Sequence, residues 1–234
     1  MPGKGDPASG NVTITVGEMD LPSLLMRLEA NDVGVTREAV ATVREAVTDE
    51  PTACVPTVPK LRALLERDAL DFRDAVAYCL AELAAVSPED VAPSTETIAG
   101  FARTAPTSTG QGEALRCLAH VAASRPDAVR PHLETVADVL AEDYEADDGV
   151  LRWGVSCLSE LTPARAVDLE GVRPALEAAL EDDRARVRRD ACLVVGHERL
   201  TSVVGRLEEV AAEESNPEVR KWAAWALEHA RDGD

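Results

Sequence analysis

The stretch that most constrains this chain is its last, TSVVGRLEEVAAEESNPEVRKWAAWALEHA, from Thr201 to Ala230. Val203, Val204, Leu207, Val210 and Ala211 fall on one stripe at helical spacing, so the first segment is a helix that buries a single face. Asn216 and Pro217 then restart the chain. An Asn side chain accepts a bond from an orphan N–H at a helix start, and Pro fits the first helical position, where no N–H is required. A second helix follows with Val219, Ala223, Ala226, Leu227 and Ala230 inward. Neither helix can bury its stripe alone, so the hairpin requires stacked neighbours.

The rest of the chain supplies them. Aligned on their main apolar anchor, the second helices give Val43, Leu80, Leu118, Leu158, Val195 and Leu227, at spacings of 37, 38, 40, 37 and 32 residues. Four positions before the anchor stand Ala39, Val76, Ala114, Gly154, Ala191 and Ala223, and one before it Thr42, Cys79, Cys117, Cys157, Val194 and Ala226. Small residues recur there because neighbouring backbones must approach closely. First helices are marked by Val58, Leu61, Leu64 and Leu65, by Leu133, Val136, Val139 and Leu140, and by Val172, Leu176, Ala179 and Leu180. In the third copy Ile98 and Phe101 are followed by a Thr/Ser/Gly stretch, Thr104 to Gly112, that reads as a long loop. Pro56, Pro93, Pro131 and Pro163 fall between hairpins.

The expected fold is therefore all-α: residues 1–17 form a flexible tail and 18–234 a single repeat domain, with repeats over 20–56, 57–93, 94–131, 132–170, 171–200 and 201–231. The extended run Val12 to Val16 in the tail could add to a partner's sheet edge. Composition agrees, since aromatic residues make up only 3% of the chain.

Charge is the second constraint, with 43 acidic against 24 basic residues and a net charge of −19. Of the basic residues only Lys4, Lys60 and Lys221 are lysines. This acidic, Lys-poor composition resembles that of a cytosolic protein from a salt-accumulating archaeon, where molar salt screens self-repulsion over about 3 Å. Acidity then describes the solvent more than the partner. No segment reaches the roughly 18 apolar residues of a membrane span, and no signal-peptide pattern opens the chain, so a cytoplasmic location without membrane contact is expected. Cys54, Cys79, Cys117, Cys157 and Cys192 form no CxxC pair and no zinc spacing, which implies free thiols in the core.

Val187-Arg188 with Ala191, and Val219-Arg220 with Ala223, resemble the Val-Arg-x-x-Ala core of HEAT repeats, of the short type found in phycobilisome-lyase-like proteins. Asp182 and Glu214, five residues before those valines, resemble the acidic partners of that family's Asp/Arg ladder; Arg73 and Arg152 read as earlier rungs, and Gln111 interrupts the series. The resemblance implies a right-handed α-solenoid of about six HEAT-like helical hairpins, with a concave surface made by the second helices. It implies no single activity.

Few residues suggest chemistry. His197-Glu198 resembles the His-Glu pairs of a HEAT-repeat hydroxylase family, whose di-iron site needs several such pairs; this chain has one, and a solvated or capping histidine is the plainer reading. Asp138 to Asp148 fails as a calcium loop, with Asp148 where the turn glycine belongs, and reads as a solvated acidic loop or a docking site for a basic partner. Arg184, Arg186 and Arg189 stand beside Arg188 in a strongly acidic protein; they serve local ion pairs with Asp182, Asp183 and Asp190, or bind carboxylates or phosphates. Trp153 and Trp222 share the slot five before the anchor, and Trp225 lies roughly 140° from the inner stripe at 100° per residue. The three tryptophans anchor a partner, or Trp222 and Trp225 simply cap the open end of the array.

The function expected is a non-catalytic scaffold or adaptor, without metal or cofactor, that binds a partner protein through Trp153, Arg184, Arg186, Arg189, Trp222 and Trp225. A HEAT-like DNA glycosylase using Asp190 is the alternative, opposed by the acidity and the lack of a basic stripe. A lyase-like or chaperone role toward a cofactor-bearing protein rests on resemblance alone.

Overall fold

The computed structural model describes residues 15–16, 19–163 and 168–231. It opens on a two-residue ribbon, β1 (Thr15–Val16) paired antiparallel with β2 (Met19–Asp20). The end of the extended run thus pairs within its own chain, while Val12 to Ile14 and most of the tail lie outside the described residues.

Helices follow in pairs. The first is α1 (Leu21–Leu28) with α2 (Val33–Asp49). A one-turn helix, α3 (Pro51–Cys54), leads to α4 (Val58–Leu65) and α5 (Arg73–Val86). Another, α6 (Pro88–Val91), leads to α7 (Thr95–Thr104) and α8 (Ser108–Ser124), and a third, α9 (Pro126–Val129), to α10 (Leu133–Asp143) and α11 (Asp148–Leu161). The pairs α12 (Arg173–Leu180) with α13 (Ala185–Glu198), and α14 (Val204–Glu213) with α15 (Pro217–Arg231), complete an all-α solenoid.

The one-turn helices depart from the plain two-helix unit. Each follows a Pro-x4-Pro pattern, Pro51/Pro56, Pro88/Pro93 and Pro126/Pro131. The first proline starts the turn and the second sits in a 3-10 turn beyond it, both at positions where a missing N–H costs little. The residue closing each turn, Cys54, Val91 or Val129, is fully buried, so these prolines are structural parts of a third helix in the unit.

Consecutive second helices pack along more of their length than consecutive first helices do, which makes the second-helix layer the inner one. All five cysteines are buried, and burial pushes the Cys79 and Cys192 thiols up to about 12. The anchors Val43 to Val195 are fully buried, but Leu227 is half-buried because nothing stacks beyond it. At the other end Thr42 is half-buried where later copies have fully buried Cys79, Cys117 and Cys157.

Two expected loops are largely helix. Thr107 ends the third-copy turn, and Ser108 to Gly112 form the start of α8, with the Thr107 hydroxyl accepting from the Gly110 N–H at 3.0 Å. Gly112 has a packing reason: a Cβ there would lie 3.3 Å from the Gly149 backbone of α11. In the fourth copy, α10 continues to Asp143, and Asp147 caps α11 by accepting from the Gly149 N–H at 2.7 Å. Asp143 accepts from Gln111 at 2.7 Å, so part of the acidic run is structural.

The ladder also differs in its partners. Seven residues before the anchor stand Thr36, Arg73, Gln111, Leu151, Arg188 and Arg220. Thr36 donates to the Ala30 carbonyl at 3.0 Å, Arg188 to the Asp182 carbonyl at 2.6 Å and Arg220 to the Glu214 carbonyl at 3.0 Å, each satisfying an acceptor just past the end of a first helix. Arg188 then bridges to Glu214 of the next repeat at 2.7 and 3.1 Å. Gln111 is a rung after all. Arg152 is not one, and the Asp182 carboxylate serves Arg184 instead of Arg188.

The Arg188 guanidinium holds the Glu214 carboxyl below its ordinary value of 4.5. A depressed folded-state pKa contributes stability that is fully present above the unfolded value and lost as pH falls through the folded one. Glu214→Gln should therefore cost about 1–2 kcal/mol at neutral pH. In urea melts across a pH series the gap between variant and parent should close in acid below pH 4.5. A gap that stays constant into that range contradicts the bridge.

Candidate functional site

Slots that face the inner surface carry an uneven set of side chains. Two before the anchor stand Tyr78 on α5, Arg116 on α8 and Trp225 on α15; two after it stand Glu82, His120, His197 and His229. Contacts run between repeats through these slots. The Arg44 guanidinium of α2 lies 5.0 Å from the Tyr78 ring, with Arg116 at 5.2 Å from the same ring. His120 meets Trp153 of α11 at 5.2 Å between centroids, and His197 meets Trp225 at 4.9 Å, edge to face. Sequence reasoning missed Arg44, Tyr78, Arg116 and His120, although extending the anchor alignment to these two slots reveals three of them.

Arg116 is not a free cation. It bonds Glu82 at 2.6 Å and Glu113 at 2.7 Å, and these carboxylates outweigh the burial that works against its charge. Burial, then the charges of Arg116 and Arg186, push His120 below its ordinary 6.5, so it is neutral at neutral pH and packs at a tilt against Trp153 uncharged.

Trp153, Arg184 and Arg186 converge on a cavity of about 250 Å³ between α11 and α13, lined also by Arg152, Ser156, Val187 and Asp190. These two helices touch over less of their length than α8 with α11 or α13 with α15, and the space arises there. The arginines divide by role. Arg184 is committed, donating to Asp148 at 2.6 Å and to Asp182 at 2.9 and 2.7 Å. Arg189 clasps Asp190 at 3.0 and 2.6 Å and approaches Glu218 of α15 at 3.8 Å. Arg186 is 64% exposed and reaches Asp190 only at 3.7 Å. Arg152 lies over the Trp153 ring, 4.5 Å from its centroid; no carboxylate among the described residues comes within ion-pair distance of it, although its charge helps to hold the Asp148 carboxyl low.

Asp190 is 1% exposed. Burial pushes its carboxyl up, while Arg189, Arg186 and a hydrogen bond with Ser156 pull it back. Held this way it supports arginines rather than presenting a carboxylate to a reactant, which speaks against the glycosylase reading.

Trp222 and Trp225 do not join this cavity. Their rings meet edge to face at 5.5 Å, and Trp225 stacks on His229 at 4.3 Å, with its own carbonyl 2.8 Å from the His229 Nδ1. Trp225 is half-buried over Gly196 of α13 rather than pointing away from the array, because a second helix packs against its predecessor as well as its own first helix. Of the six expected contact residues, Trp153, Arg184 and Arg186 thus line the cavity, Trp222 and Trp225 form a separate pair, and Arg189 is bound to Asp190 beside the cavity. Among the described residues no cluster of His, Cys, Asp or Glu is arranged to hold a metal, and no helix is long and apolar enough to cross a membrane.

No family model matches the chain, and no curated protein matches it. Solved structures do. A designed armadillo repeat protein in complex with the peptide (KR)4 superposes with a TM-score of 0.72 at 15% identity, covering 91% of this chain and all (100%) of that one. An engineered protein from the Northeast Structural Genomics Consortium matches with a TM-score of 0.72 at 22% identity over 91% of this chain, which spans 58% of that protein's length. At these identities the likeness shows the fold: an armadillo-like helical repeat solenoid, in keeping with the short third helix of its middle units.

Proposed function

We propose that this protein is a non-catalytic scaffold or adaptor that binds a segment of a partner protein across the inner face of its second helices. The observation that supports this most is the set of aromatic and cationic side chains that meet between neighbouring repeats, from Tyr78 to Trp153 and again at His197 and Trp225. Solvent-facing aromatics are scarce in this chain, and rigid rings over a packed layer are what interfaces use as anchors. The armadillo neighbour holds a basic peptide. Here the exposed cation Arg186 and the Trp153 cavity favour acidic or neutral side chains at the fourth and fifth repeats, and a net charge of −19 disfavours nucleic acid.

Capture of partners from native extract in molar salt tests the proposal, with Trp153→Ala, Arg186→Glu and Trp222→Ala beside the parent. Trp153→Ala and Arg186→Glu should each reduce capture of a specific partner by about tenfold or more, with unchanged helical circular dichroism. Trp222→Ala separates the two aromatic groups, and a loss there extends the surface to the last repeat. Full capture by all three variants contradicts the proposed face.

A further inference from the structure

The cavity between α11 and α13 has a chemical preference of its own. Of the arginines around it, Arg184 spends its donors on Asp148 and Asp182, and Arg189 clasps Asp190. Two guanidinium groups are left over. Arg186 comes no closer to Asp190 than 3.7 Å, and its guanidinium donates no hydrogen bond among the described residues. Arg152 rests on Trp153, and its Nε is buried without a hydrogen-bond partner. The cavity's own carboxylate, Asp190, is 1% exposed and already engaged by Arg189 and Ser156.

An excess of guanidinium donors beside a Trp ring is unexpected on a protein of net charge −19, where a nearby carboxylate could have filled the place. We infer that this cavity binds one anionic oxyacid group, a carboxylate or a phosphate, between Arg152 and Arg186 and against Trp153. Planar guanidinium forks match such groups by paired N–H···O bonds. A cavity of about 250 Å³ accommodates one side-chain-sized group and is small for a whole nucleotide. Arg184 and Arg189 engage Asp148, Asp182 and Asp190, so the entering anion meets the donors that these carboxylates leave over.

If the anion is carried on a protein segment, this inference rests on the scaffold proposal; anion binding itself does not, and the test separates the two. The full chain carrying Trp222→Phe and Trp225→Phe leaves Trp153 as the sole indole. Its fluorescence is followed at fixed ionic strength against inorganic phosphate, N-acetyl-phosphoserine methylamide, N-acetyl-aspartate methylamide and neutral N-acetylserine methylamide. A saturable change is expected with anionic probes and none with the neutral one. Arg152→Gln and Arg186→Gln should each weaken it by about tenfold, with helical content retained.

Tighter binding of the phosphoserine or aspartate probe than of inorganic phosphate supports an anion borne on a segment. Equal binding supports a site for a free anion, and leaves the scaffold proposal to the capture experiment. No saturable response to any anion, an equal response to the neutral probe, or an undiminished response in both Gln variants overturns the inference.

Discussion

Leu118→Ala should lower the unfolding free energy by about 3 kcal/mol, within the range for deleting a well-packed leucine. Leu118 is the anchor of α8, fully buried, with α5 on one side and α11 on the other. Loss of its side chain leaves a cavity lined from several directions, which the layer cannot close without moving two helices. The equivalent change at the end of the array is the comparison. Leu227→Ala on α15 removes a half-buried side chain with no following repeat, and should cost about 1 kcal/mol. Denaturant titrations followed by far-ultraviolet circular dichroism, at a fixed high salt concentration, give both values. Equal costs would mean that the repeats do not support one another as nearest neighbours.

Gly112→Val is the second large effect, expected at about 3 kcal/mol, the upper end of the cost of overpacking. A Cβ at Gly112 already lies 3.3 Å from both the Cα and the carbonyl carbon of Gly149, and the atoms it meets are backbone that cannot rotate aside. The two methyl groups of valine would have to wedge α8 away from α11, in the most extensive helix pair of the inner layer. Gly100 in α7 provides the opposite sign: an added Cβ there meets nothing within 4 Å, so Gly100→Ala should stabilise the array by about 0.5–1 kcal/mol through helix propensity. Thermal and denaturant unfolding of the two variants beside the parent distinguishes close approach from ordinary helical glycine. A neutral Gly112→Val would remove the packing explanation for the Gly-rich start of α8.

These two sites also mark where the chain's pattern is legible and where it is not. The anchors and the small slots before them show because a helix buries its own stripe, a property written at a period of 3.6 residues. Thr104 to Gly112 reads as a loop because its propensity is low, and packing against Gly149 overrides that propensity. Pro56, Pro93 and Pro131 read as punctuation, but the Pro-x4-Pro pattern they complete goes unread, because its one-turn helices are held by buried Cys54, Val91 and Val129, which belong to no amphipathic period.

The site shows the same division. The arginine cluster and the tryptophans stand out by composition, and the local pairs of Arg184 with Asp182 and of Arg189 with Asp190 are legible beside them, whereas the remaining partners lie across repeats. Asp148, which holds Arg184, is 36 residues away, and Glu214, which holds Arg188, is 26 away. Arg152 read as a rung and is instead a cation resting on Trp153, since the register of α11 places Leu151 in the ladder slot. Which arginine stays unpaired depends on these distant carboxylates as well as on the local Asp182 and Asp190, and the local pattern alone does not encode it.

The central claim is that partners bind on the second-helix layer, and site-specific photo-cross-linking tests it most directly. A photoreactive amino acid placed at Arg186 on α13, and in a separate protein at Glu177 on the first helix α12, reports which layer a captured partner touches. The account predicts a cross-linked partner band from position 186, suppressed by Trp153→Ala, and none from position 177. Cross-links from position 177 with none from 186 would contradict it.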